Sequence, residues 1–79
     1  MHMSNEEILK RIISLISTIS EAEEITEESE IIEDLGISSM DVLYLVSCME
    51  VEFGVKIPER TVRSFVVVGD MVDAVASLL

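Results

Sequence analysis

The sequence has few of the residue types that perform acid–base, nucleophilic or metal chemistry. Its 79 residues include one histidine and one cysteine. That histidine, His2, stands in the N-terminal Met-His-Met, and no other imidazole is available for a Ser/His/Asp or Cys/His set. Zinc needs more Cys and His ligands than the chain offers. The sequence therefore predicts no catalytic residue and no metal site, and it indicates a protein that is not an enzyme.

The sequence also has no pattern typical of an internal disulfide, a membrane span or a targeting signal. A single cysteine excludes an internal disulfide, and Cys48 falls within an apolar helical pattern, where it is expected to be a small filler. No apolar run approaches the roughly 20 residues of a membrane helix, and no signal peptide is visible. We expect a cytoplasmic protein without membrane insertion. Residues 1–3 are expected to be a cloning remnant, and residues 4–79 a single domain.

Positive charge is scarce, because 5 basic residues stand against 16 acidic ones and give a net charge of -11. Such a field repels nucleic acid and anionic membrane surfaces. A basic patch on another protein is its natural complement. The composition is 49% hydrophobic but only 4% aromatic, so the core must consist mainly of Ile, Val, Leu and Met.

Apolar residues recur at three- and four-residue steps, which predicts amphipathic helices. Ser4 and Glu7 have the spacing of an N-terminal capping box, Gly54 suits a helix end, and Pro58 suits a helix start. The predicted helices run from Ser4 to about Ser20, from about Ser39 to Phe53, over roughly residues 59–64, and from about Val68 to Leu78. We expect an all-α fold: a small four-helix bundle with a long first loop and a short third helix.

The first connection, residues 21–37, is long and acidic. A loop of this length in a compact domain is often functional. Its apolar residues are expected to attach it to the core; they are Ile25, Ile31, Ile32 and Leu35. In the last helix, Met71, Val72, Val75 and either Leu78 or Leu79 are expected to be buried.

Two serines stand side by side at the start of the second helix. Ser38 is predicted to be its N-cap, with Asp41 completing a capping box, so that Ser39 becomes the first helical residue. A phosphate ester on Ser39 would gain roughly 0.3 to 1 kcal/mol from the helix dipole. The alternative, equally consistent with these residues, is that both serines only begin the helix.

Two longer stretches resemble the acyl carrier protein family. In "EDLGISSMDVLYLVSCMEVEFGVKIP", residues 33–58, the order matches the family's acidic residue, Leu and Gly, then Asp-Ser-Leu, then Phe-Gly-Ile-x-Ile-Pro. In "FVVVGDMVDAV", residues 65–75, the match is to the Thr-Val-Gly-Asp that opens the family's fourth helix. The likeness covers roughly residues 4–79, with the spacing intact.

The resemblance implies that Ser39 receives phosphopantetheine from coenzyme A through a separate phosphopantetheinyl transferase. The thiol of the arm would hold acyl groups as thioesters, and the protein would present them to fatty-acid or polyketide-type synthesis enzymes. Such partners would carry basic docking patches, and the carrier itself would be a monomer. Two other functions stay open: an unmodified carrier-like interaction subunit, and an aminoacyl or peptidyl carrier.

The sequence departs from the family's pattern around Ser39. Ser38 replaces the usual Asp, Met40 the usual Leu, and Tyr44 and Val51 two common glutamates. The docking face is therefore expected to be more apolar, with Glu50 as a charge at its rim. The predicted partner-binding residues are Ser38, Met40, Tyr44, Ser47, Glu50 and Val51. Arg60 and Arg63 occupy the third helix, where the family is often acidic, and Val67 stands where Thr usually caps the fourth helix.

An acyl chain is expected to find partial shelter between the second and third helices, where apolar side chains converge and can repack. The predicted pocket residues are Val42, Met49, Phe53, Ile57, Val62 and Phe65. The alternative is that these residues form only a closed core.

Overall fold

The computed structural model describes residues 3–79. Its helices are α1 (Asn5–Ser17), α2 (Ser39–Phe53), α3 (Glu59–Arg63) and α4 (Val68–Leu78). No strand forms within the described range, where a single antiparallel bridge joins Glu30 to Val67. The all-α fold class is confirmed, and α2 and α4 have their predicted bounds. The expectations for Met1 and His2 lie outside the described residues, whereas Met3 packs half-buried against the core.

Helix α1 begins as predicted but ends earlier than the expected Ser20. Ser4 is its cap, and the Ser4 hydroxyl accepts a hydrogen bond from the Glu7 backbone N–H at 3.2 Å. The helix ends at Ser17, and the Ser20 hydroxyl instead donates to the Leu35 carbonyl at 2.8 Å, so the chain has already turned into the loop. Helix α1 packs against α4 and α2.

The core is aliphatic, as the scarcity of aromatics requires. One face of α1 contributes a fully buried stripe of isoleucines, and α2, α4 and the first loop complete the cluster. The buried residues with less than 2% exposure are Ile8, Ile12, Ile16, Ile31, Leu45, Met49, Val68, Met71, Val72 and Val75. Burying each such side chain is worth roughly 1.5 to 3 kcal/mol, so the stripe is a principal source of stability.

Two predicted core positions are wrong: the one expected at either Leu78 or Leu79, and Ile32. Leu78 and Leu79 are both exposed, because they lie at the end of α4, beyond its last fully buried residue, Val75. Ile32 is also exposed, whereas its neighbour Ile31 and the later Leu35 are buried. Adjacent residues in this turn point in different directions, so only one of the two isoleucines can enter the core.

The long loop caps helix α4. Val67 has no side-chain acceptor, but the Asp70 carboxylate accepts hydrogen bonds from the backbone N–H groups of Val66 (2.8 Å) and Val67 (3.0 Å). Two carbonyls of the loop accept hydrogen bonds from the first N–H groups of the helix. The Val68 N–H donates to the Ser29 carbonyl at 3.0 Å, and the Gly69 N–H donates to the Glu27 carbonyl at 2.8 Å. The helix start is therefore well satisfied, although the expected cap residue is absent.

Candidate functional site

The start of α2 is held by a reciprocal capping box. The Ser38 hydroxyl accepts a hydrogen bond from the Asp41 backbone N–H at 3.1 Å, and the Asp41 carboxylate accepts one from the Ser38 N–H at 3.0 Å. Aspartate is shorter than the usual glutamate, but its carboxylate still reaches the backbone N–H of Ser38. Ser38 is therefore the N-cap, as predicted, and its hydroxyl oxygen is engaged in holding the helix.

Ser39 is the first residue of α2 and has a different environment. Its side chain is exposed, and within residues 3–79 its hydroxyl makes no hydrogen bond. It stands at the positive end of the helix dipole, beside backbone N–H groups that have no partner inside the helix. The two adjacent serines thus differ in role: one hydroxyl caps the helix, and the other is available for modification.

A cavity of about 330 Å³ opens beside Ser39, between α2, α3 and the first loop. Its wall is mostly apolar, with one hydroxyl and one cation. The lining residues are Ile32, Ser39, Val42, Leu43, Val62, Arg63 and Phe65. This volume is at the lower end of small-molecule pockets. The arrangement could shelter a short apolar group attached near Ser39.

The six predicted pocket residues separate into two sets. Val42, Val62 and Phe65 line the cavity. Met49, Phe53 and Ile57 are buried in the core instead and do not line it. Met49 and Phe53 lie about 15 to 21 Å beyond Ser39 along α2, and Ile57 follows the end of that helix, so all three are far from the opening.

Two apolar lining residues, Ile32 and Leu43, were not predicted for the pocket. Leu43 follows Ser39 by four residues, which places both on one face of the helix, so this spacing could have identified it. Ile32 comes from the loop, where no periodic pattern indicates which side chain faces the opening.

The outer face of α2 presents apolar side chains to solvent. Met40 is 74% exposed, Val51 is 85% exposed, and Tyr44 and Ser47 are exposed between them. Their three- and four-residue steps place them on one stripe that begins next to Ser39. We call Met40, Tyr44, Ser47 and Val51 the α2 stripe. Ser38, the remaining residue before it, is exposed at the helix start.

Glu50 has a structural role that the sequence did not reveal. It is half-buried, and its carboxylate accepts a hydrogen bond from the backbone N–H of Ile57 at 2.8 Å. Glu50 therefore secures the turn after Gly54 and is more than a rim charge. Nearby, Glu52 pairs with Arg11 of α1 at 3.1 Å.

Tyr44 is influenced by the only cysteine of the chain. Cys48 lies one helical turn further along and is half-buried. Its side chain raises the pKa of the Tyr44 hydroxyl above the ordinary value, first through a side-chain hydrogen bond and then through its charge. The neutral phenol is therefore favoured, and the ring of Tyr44 is exposed on the α2 stripe.

The family model described as the phosphopantetheine attachment site matches residues 7–75. The chain belongs to the acyl carrier protein family. It is 38% identical over 78 residues to the acyl carrier protein of Thermotoga maritima, covering 96% of both chains. It is 40% identical over 75 residues to that of Nitratidesulfovibrio vulgaris, covering 95% of this chain and 97% of the relative.

Solved structures give the same relationship. The acyl carrier protein of Enterococcus faecalis superposes with a TM-score of 0.80 at 32% sequence identity, over 98% of this chain and 100% of the other. Within residues 3–79, no helix has the length and apolar character needed to span a bilayer.

The residues at the start of α2 fit the phosphopantetheine that the family carries. An exposed serine hydroxyl without an internal partner stands at a helix N-terminus, where a phosphodiester is electrostatically favoured. The adjoining cavity offers apolar walls along which part of an arm or its cargo can lie. Ser39 would hold the group, and the first turn of α2 would stabilise its charge.

Proposed function

We propose that Ser39 is the attachment residue for phosphopantetheine and that this acyl carrier protein holds acyl intermediates for fatty-acid or polyketide-type synthesis enzymes. The supporting observation is the contrast between the two serines. Ser39 is exposed, makes no side-chain hydrogen bond to any described residue and lies beside the apolar cavity, whereas the hydroxyl of Ser38 accepts a hydrogen bond from the N–H of Asp41. Attachment at Ser39 leaves the cap of α2 intact.

In the loading step, the Ser39 oxygen attacks the phosphorus of coenzyme A that bears pantetheine. A P–O bond to this phosphorus forms, the P–O bond to the adenosine bisphosphate breaks, and the serine proton passes to a base. The nearest carboxylate in sequence, Asp41, is engaged by the Ser38 N–H, so we assign the base to the transferase. Once bound, the arm supplies the thiol on which acyl groups are held as thioesters.

After loading, the carrier's own residues position the arm and its acyl cargo, and they do not react themselves. The helix dipole at Ser39 contributes roughly 0.3 to 1 kcal/mol to holding the phosphodiester. Val42, Val62 and Phe65, with Ile32 and Leu43, offer apolar surface to a short acyl chain, each Å² removed from water being worth about 25 cal/mol. This function needs no catalytic residue in the chain, and we include the absence of enzymatic activity in the proposal.

Partner enzymes are proposed to dock on the α2 stripe, with Ser38 at its N-terminal end and Glu50 beside it. Tyr and Met are favoured at the centres of interfaces, and any enzyme that receives the arm must approach Ser39. The net charge of -11 favours basic docking patches on the transferase and on the acyl-processing enzymes. We also propose that the carrier is a monomer and that it acts in the cytoplasm.

The test is to incubate the protein with coenzyme A and a broad-specificity phosphopantetheinyl transferase. Intact-mass measurement should show one added arm on the wild type and on Ser38→Ala, and none on Ser39→Ala. Circular dichroism checks that both variants fold. Mapping of the modified peptide to Ser38 would refute the assignment.

Failure of the wild type to accept the arm, while a known carrier is modified in the same mixture, would favour an unmodified interaction subunit. If the arm is added, mass spectrometry of the protein from its native host identifies the cargo. An aminoacyl thioester in place of an acyl thioester would indicate an aminoacyl or peptidyl carrier.

A further inference from the structure

Arg63 lines the same cavity as Ser39 and is the only cation among its lining residues. The chain has 5 basic residues against 16 acidic ones, so a cation next to the modified serine is not expected from composition alone. It comes from the last residue of α3, the short helix that forms the opposite wall of the opening.

The guanidinium of Arg63 is largely free to bind another anion. Its one ion pair within residues 3–79 joins it to Glu59, four residues earlier, at 3.2 Å, and the two side chains are 75% and 80% exposed. Exposed pairs of this kind contribute little and exchange readily with solvent. A guanidinium has five N–H donors in a planar fork, which suits phosphate oxygens, and the pair with Glu59 leaves most of them available.

We propose that Arg63 binds the phosphodiester that links the arm to Ser39. This inference rests on the proposed function, because it requires an arm on that serine. The modification adds an anion to a protein that already carries a net charge of -11, next to Asp41 in the same helical turn. A guanidinium across the cavity offsets this repulsion and donates charge-assisted hydrogen bonds to the phosphate oxygens. It thereby orients the first atoms of the arm toward α3.

Arg60 provides a matched control. It has the same charge, lies on the same short helix and is also exposed, but it does not line the cavity. The two arginines are three positions apart on α3, so an effect that depends only on the overall charge of this helix should be the same for a substitution at either one. A direct contact with the phosphodiester depends on Arg63 alone.

The experiment compares the apo and holo forms of the wild type, Arg63→Gln, Arg63→Lys and Arg60→Gln. Intact mass first establishes that the arm is present on each. In the wild type, loading should shift the side-chain Nε–Hε NMR resonance of Arg63 and leave that of Arg60 in place. The phosphorus-31 resonance of the holo protein should move in Arg63→Gln, remain as in the wild type in Arg60→Gln, and be only partly restored in Arg63→Lys, which keeps the charge but loses the fork.

High salt should reduce the shift of the Arg63 resonance, because the contact is partly exposed. An unchanged Arg63 resonance on loading, or a phosphorus resonance that responds equally to Arg63→Gln and Arg60→Gln, would overturn this inference and leave the proposed function intact. Absence of the arm from the wild type would overturn both.

Discussion

The Glu50 carboxylate accepts a hydrogen bond from the backbone N–H of Ile57, 2.8 Å away, and so joins the last turns of α2 to the segment that enters α3. Gly54 lies between them and ends α2 in the left-handed conformation, with φ of 66°, which glycine adopts without strain. Glu50 therefore stabilises the turn that begins at Gly54. The position of α3, and hence of one wall of the cavity, depends on this contact.

We predict that Glu50→Ala lowers the free energy of unfolding by about 1 to 2 kcal/mol, because a half-buried N–H loses a charged acceptor. Glu50→Gln should lose less, since its amide oxygen can still accept. Glu52→Ala serves as the control: it removes an equal charge but only an exposed ion pair with Arg11, worth about 0.2 to 1 kcal/mol. Urea denaturation measures all three, and equal losses for Glu50→Ala and Glu52→Ala would contradict the prediction.

Asp70 holds the start of α4 in place of a side-chain cap at Val67. Asp70→Ala removes the acceptor of two backbone N–H groups and should cost about 1 to 2 kcal/mol of stability. Asp73→Ala, on the exposed face of the same helix, should change stability by less than about 0.5 kcal/mol. Thermal melts of both variants test this, and a loss of similar size at Asp73 would point to charge rather than capping.

An acyl chain on the arm is predicted to enter the cavity beside Ser39. Methyl resonances of Val42 and Val62 and ring resonances of Phe65 should shift when a medium-length acyl chain replaces a two-carbon one. Val72, fully buried on α4 and away from the cavity, should stay in place. Shifts confined to residues around Ser39 itself would mean that the chain remains in solvent.

The α2 stripe is predicted to contribute apolar binding energy to partner docking. Tyr44→Ala should weaken the affinity for the transferase about tenfold, because a tyrosine on a docking face commonly acts as an anchor. Val51→Ala should have a smaller effect that does not depend on salt. Glu50→Gln is the appropriate charge probe, since it can retain the bond to Ile57, and its effect should fade at high salt. If only Glu50→Gln weakens binding, and salt abolishes that effect, docking is electrostatic and the stripe has no role.

The hydroxyl of Tyr44 is predicted to ionise at a higher pH than a free tyrosine, since Cys48 raises its pKa. The raised pKa means that the folded state holds this proton more tightly, so the associated stabilisation is present below the ordinary pKa and disappears as pH rises through the folded value. Tyr44 is the only tyrosine, so ultraviolet absorbance reports it alone. Cys48→Ala should lower the midpoint, and Cys48→Ser should give an intermediate value. Identical midpoints in all three proteins would contradict this coupling.

Local signals in the sequence were sufficient for the bounds of α2 and α4 and for the serine pair. The bounds of α2 and α4 were predicted correctly because Ser38, Gly54 and the apolar periodicity act within one or two turns of the backbone. The capping box between Ser38 and Asp41 spans three residues, so its geometry follows from the sequence alone. This same local geometry distinguishes Ser39 from its neighbour.

The contacts between distant segments were decided only by the tertiary structure. The loop carbonyls of Glu27 and Ser29 that satisfy the start of α4 are about 40 residues away from it in sequence, and no local pattern indicates them. The cavity likewise combines Ile32 of the loop, Leu43 of α2 and Arg63 of α3. Sequence periodicity assigns a side chain to a face of its own helix, but the packing of α1, α2, α3 and the loop determines which faces close into core and which border an opening. For that reason the sequence alone could single out Ser39 as the candidate attachment residue, whereas its surroundings required the fold.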